Sequence, residues 1–126
     1  MAHVSIMNET RAKCPRAIFR AIASAALPKM YDLHVIFVEA AEIKKLNLIY
    51  RGMNRPTDIL SFPLSDSEGE IYICPSESRK EAKNFNRDYD NFMLFLFIHG
   101  CVHLIGHDHG ATMERIEADI RRKFKV

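Results

Sequence analysis

A chain of 126 residues with 48% apolar and 27% charged side chains is sized for one soluble domain with a single core and no covalent staple. Its formal charge of +2 lacks the basic excess of a typical nucleic-acid-binding domain, so any dealings with nucleic acid must rest on local cationic groups. The opening residues carry no charged-then-apolar leader, no uncharged run approaches the roughly eighteen residues that span a bilayer, and Cys14, Cys74 and Cys101 are odd in number and widely spaced; a cytoplasmic protein with reduced, buried thiols is expected.

Residues 3–7 alternate weakly and read as a short strand. Pro15 suits the start of a helix, and Ala17, Ile18, Ala21, Ile22 and Ala25 recur at helical spacing, which predicts an amphipathic helix over 15–26. Leu33 to Val38 is short, β-branched and aromatic, the pattern of a buried strand. Ile43, Leu46 and Ile49 then predict a helix over 39–50. Residues 51–56 lack periodicity, contain Gly52 and Pro56, and carry Arg51 and Arg55 on what should be an exposed loop.

Thr57 to Phe62 reads as a strand ended by Pro63, and Glu70 to Cys74 as a second, the pair forming a hairpin across a longish polar loop. Pro75 should close that strand and Ser76 cap a polar helix reaching Lys83. Apolar residues from Phe92 to Val102 predict a helix over 91–105, and Met113, Ile116, Ile120 and Phe124 predict a last one over 111–124. The expected fold is therefore a single α+β domain spanning 1–126, with a small mixed sheet of about four strands packed by four to five helices. The helix over 91–105 should be the most buried.

That helix holds the chemistry. Four of the six histidines lie between His99 and His109. His99 and His103 are four apart, so their imidazoles project from one helix face a turn apart. Gly106 can end the helix with positive φ, letting His109 return as a third nitrogen. The string H-x-x-x-H-x-x-G-x-x-H has the ligand spacing of the metzincin motif, a far more specific signal than the first pair alone. Three imidazoles suit one zinc ion, with nickel, cobalt or iron as alternatives, and leave a fourth position open to water, which implies catalysis rather than bracing.

Rivals for the ligand set are weaker. Cys101 faces about 200° away from His99 around the helix. His107 is offset from His103 through the expected stop at Gly106, and Asp108 fits better as a group that orients a ligand imidazole or caps the turn. Gly100 stands where a zinc peptidase carries its water-activating glutamate, which counts against peptide hydrolysis. A metal still acidifies its water to a pKa of roughly 7 without that carboxylate. A phosphodiester substrate would then need cationic help, and Arg51 and Arg55 are the candidates, because guanidinium donates to two phosphate oxygens in a fixed fork.

The string from His99 to His109 resembles the H-G-x-L-H-L-x-G-Y-D-H signature of the YbeY family of bacterial rRNA-maturation endoribonucleases. The resemblance extends through Leu46-Asn47, Tyr50-Arg51, Pro56 to Pro63, and Gly69-Glu70-Ile71, with Val102, His107 and Glu70 departing from the usual leucine, tyrosine and aspartate. It implies a single-metal hydrolase, usually of zinc, with His99, His103 and His109 as ligands and Arg51 at the RNA phosphate. It further implies single-strand-specific cleavage in 16S rRNA 3′-end maturation and ribosome quality control, with the small ribosomal subunit and ribosome-assembly factors as partners and no membrane. The competing expectations are a metalloprotease-like or other metal-dependent hydrolase, and a non-catalytic assembly factor with a structural metal.

Overall fold

The computed structural model describes residues 1–106 and 110–126. In chain order these form β1 (His3–Asn8), α1 (Arg16–Ala26), β2 (Asp32–Phe37), α2 (Ala40–Arg51), β3 (Ile59–Ser65), β4 (Glu68–Ile73), α3 (Pro75–Ala82), α4 (Tyr89–Leu104) and α5 (Ala111–Phe124). The strands make one sheet in the order β1-β2-β4-β3. β1 with β2 and β2 with β4 are parallel, while β3 returns antiparallel to β4, so the sheet is mixed as expected.

The period-two alternation of the strands decides what each face buries. Leu33, Val35 and Phe37 of β2 and Ile71 and Ile73 of β4 point to one face and are fully buried under α1, α4 and α5. Phe19 of α1 stacks on Phe97 of α4 with ring centroids 3.9 Å apart, a pair that contributes about 0.5–1.5 kcal/mol beyond simple burial. On the other face Ile43 of α2 packs with Leu60 of β3, Ile36 and Tyr72. Nine of the sixteen residues of α4 are buried, in keeping with its apolar sequence.

Three local expectations need correction. β3 does not stop at Pro63 but runs through it to Ser65; the strand is at the sheet edge and shifts register between Pro63 and Ser65, where a missing N–H is tolerated. The loop of the β3–β4 hairpin is short, because Ser65 pairs with Glu68 and leaves only residues 66–67 between the strands. Pro75 opens α3 rather than merely closing β4, and Ser76 lies inside the first turn with no side-chain cap on the helix.

α4 starts two residues earlier than its apolar pattern, because Asp88 caps it by accepting from the Asn91 amide at 2.7 Å. It ends at Leu104, and Gly106 follows at φ +76°, the left-handed stop that its position promised. The same end is pressed against the sheet at Gly69, where a Cβ would fall 2.9 Å from Leu104 Cδ2 and 2.5 Å from the buried Tyr31 hydroxyl. Cys74 and Cys101 are buried and Cys14 partly so, all three as free thiols. Burial raises the Cys101 thiol far above its usual range.

Candidate metal centre

α4 presents His99 and His103 a turn apart with ring centroids at 6.2 Å and planes 24° from parallel. The rest of the helix is held in place by Phe97, Ile98, Cys101 and Val102, each fully buried, so the two half-buried imidazoles sit on a fixed support. His99 Nδ1 lies 2.8 Å from Oε1 of Glu117 on α5. A carboxylate accepts, so the ring proton belongs on Nδ1 and the lone pair on Nε2 is left for another partner.

Glu117 was not singled out from the sequence. It is only 7% exposed, and its one legible mark is that a charged residue interrupts the apolar stripe of Met113, Ile120 and Phe124. A buried carboxylate needs a partner, and His99 is the partner it has.

On the other side of the imidazoles, Arg51, Thr57, Asp58, Ile59, Leu60, Ser61, Phe62, His99 and His103 line a cavity of about 470 Å³. Arg51 reaches it from the last turn of α2. Gly52 ends that helix in the left-handed region at φ +69°, and the buried Asn47 fixes the following loop by donating to the Arg55 carbonyl at 2.8 Å. Arg51 is exposed, and no carboxylate among the described residues pairs with it. Arg55, the other cationic candidate, does not line this cavity.

Asp58, which the sequence places in the strand over 57–62 and in the family-like block from Pro56 to Pro63 with no site role, is held above the usual carboxylate range, first by burial and then by the charge of Glu81. Gly100 acquires a packing reason. A Cβ there would meet Ile59 Cδ1 and Ser61 Oγ at 3.0 Å and Ile71 Cδ1 at 3.2 Å, so the position after His99 is pressed against β3 and β4. Any side chain there requires these three side-chain ends to give way by a few tenths of an ångström.

His107, Asp108 and His109 lie outside the described residues, and with them the expected third ligand and its two rivals. For the described part, the donor set fits a metal: two imidazoles one helical turn apart, one of them oriented by a buried carboxylate, opening on a polar cavity. Among the described residues one other group has metal-capable chemistry, Asp32, His34 and Glu68 on β2 and β4. Both ring nitrogens of His34 are engaged there, Nδ1 with Ser5 Oγ at 2.8 Å and Nε2 with Glu68 Oε2 at 3.0 Å, as expected for a solvated cross-strand cluster. No helix among the described residues is long and apolar enough to cross a membrane.

Comparison with known proteins places this chain in a family. A family model described as Endoribonuclease YbeY matches residues 2–125. An Endoribonuclease YbeY of Thermotoga maritima is 46% identical over 82 residues, covering 62% of this chain and 55% of that protein. One from Chelativorans is 32% identical over 125 residues, covering 88% and 77%. Against the Thermotoga relatives, then, the chain spans about half their length. A solution structure of a Thermotoga maritima protein superposes with a TM-score of 0.70 at 30% identity, over 97% of this chain and 91% of that one. With a family match running almost end to end and a shared fold behind it, the chain belongs to the YbeY endoribonuclease family.

Proposed function

We propose that residues 1–126 act as one metal-dependent endoribonuclease domain that cuts single-stranded RNA in the cytoplasm, in 16S rRNA 3′-end maturation and ribosome quality control. The small ribosomal subunit and ribosome-assembly factors are the partners this reading entails. The observation that carries it is the meeting of Arg51 with His99 and His103 around one cavity, although forty-eight positions separate Arg51 from His99 in the chain. A guanidinium without a carboxylate, opposite two imidazoles on a fixed helix, is the arrangement a phosphodiester needs.

His99, His103 and His109 would hold the metal, with zinc the best match to imidazole donors and nickel or another divalent transition metal the alternative. A bound ion would supply Lewis-acid and water-acidifying chemistry there. The chain's own groups do the rest. Glu117 holds His99 in the tautomer that leaves Nε2 free to bind. Arg51 binds two phosphate oxygens and offsets the charge that builds up on them. The wall formed by half-buried Ile59 and buried Leu60 limits water on the β3 side of the cavity.

The test is RNA cleavage by purified protein of measured metal content, beside His103→Ala and Arg51→Ala. Both variants are expected to lose most of their activity, with metal content falling only in the histidine variant. Two variants that cut as fast as wild type would overturn the reading. Peptide cleavage by the wild type would replace it with a metalloprotease-like hydrolase, and chelation that unfolds the protein while RNA stays intact would replace it with a structural metal in an assembly factor.

A further inference from the structure

We propose that the rings of Tyr50 and Phe62 form a stacking platform for one unpaired RNA base, beside the phosphate that Arg51 holds. This rests on the endoribonuclease reading and names the part of the substrate that the reading leaves open. Phe62 lines the same cavity as Arg51, His99 and His103. Tyr50 immediately precedes Arg51 in the last turn of α2, and its ring packs on Phe62 with centroids 5.0 Å apart at 53°. Yet Tyr50 remains 64% exposed, so a large aromatic surface stands in water beside the cleft, its ring tilted against Phe62.

An exposed aromatic next to an uncompensated guanidinium matches the two demands of a nucleotide. The ring accepts the base, and the cation accepts the adjacent phosphate. Arg51 and Arg55 both lack a carboxylate partner among the described residues, which gives this corner the sign a polyanion requires.

The aromatic row continues from Phe62 to Tyr72, whose ring centroids are 5.9 Å apart, but the chemistry changes there. Burial first and then the charge of Glu70 raise the Tyr72 hydroxyl, and Glu70 pairs in register with Phe62, so a carboxylate stands at this end of the row and would repel a phosphate backbone. The phosphate therefore lies on the Tyr50 and Arg51 side of Phe62. A base in a duplex is already stacked on both faces and cannot be offered to a side chain without breaking pairing, so such a platform selects single strands.

The experiment measures the affinity of metal-loaded protein for a short single-stranded oligonucleotide and for its duplex, with wild type, Tyr50→Ala, Tyr50→Phe and Phe62→Leu. Tyr50→Ala should weaken single-strand binding about tenfold and leave duplex binding unchanged. Tyr50→Phe should bind as wild type, because the ring and not the hydroxyl carries the contact. An oligonucleotide lacking one base at the contacted position should bind wild type and Tyr50→Ala equally. Thermal melts check that Phe62→Leu, a packed position, remains folded; Tyr50 is exposed and its variants report in any case. Equal single-strand affinity in wild type and Tyr50→Ala overturns the platform alone, whereas a wild type that binds no RNA overturns the platform together with the reading beneath it.

Discussion

Gly100→Ala is a small change with an outcome that the structure decides. In an exposed helix the substitution would stabilise by about 1 kcal/mol, because alanine loses less backbone entropy than glycine. At position 100 the added methyl meets Ile59 Cδ1, Ser61 Oγ and Ile71 Cδ1 at 3.0–3.2 Å, tighter than normal contact on three sides. Overpacking of this kind costs roughly 1–3 kcal/mol. All three neighbours are side-chain ends that yield by a few tenths of an ångström, which places the cost near the middle of that range and the net loss at about 1 kcal/mol. For a chain of this length that lowers Tm by about 3–6 °C. Gly100→Glu adds a carboxylate to the same contact and should cost more than about 4 kcal/mol, a large share of the stability of a small domain. Differential scanning calorimetry of the metal-free variants reads both. A Gly100→Ala protein that melts above wild type would refute the packing argument. It would also return the missing peptidase glutamate to a question of chemistry alone.

Glu117→Ala should weaken metal binding about 10–100-fold, as loss of an outer carboxylate on a ligand imidazole does, while Glu117→Gln, which still accepts from Nδ1, should lose less. Competition with a chromogenic chelator measures this apart from activity, and equal affinities in all three proteins would remove Glu117 from the site. Asp58 is held above the ordinary carboxylate range in the fold, so folding favours its protonated form. The resulting penalty is absent below the unfolded pKa and grows as pH rises through the folded one. Asp58→Asn should therefore stabilise the protein relative to wild type at about pH 7.5 and lose that advantage near pH 3. Urea denaturation at the two pH values checks the sign, and an advantage confined to acid would contradict it.

Much of the site was legible from local rules. Four-residue spacing put His99 and His103 on one face of α4, and Gly106 ended that helix with φ +76° because only glycine adopts that conformation freely. The order of strands and helices followed from a change between periods of two and 3.6. Boundaries failed where tertiary position overrode residue type. Pro63 stays in β3 because an edge strand has a side that needs no N–H donor, and edge status is a property of the sheet.

What the sequence determined by itself is whatever depends on neighbours within a turn or two: the histidine pair, the glycine stop, the run of elements, and the family motif built from them. Tertiary structure decided the contacts between residues far apart in the chain. It set Arg51 against the histidines across one cavity, gave His99 a carboxylate from eighteen residues downstream, and pressed Gly100 closely against β3 and β4. Periodicity fixes which way a side chain points on its own element. What stands opposite it depends on sheet order and helix packing, which the whole core settles together.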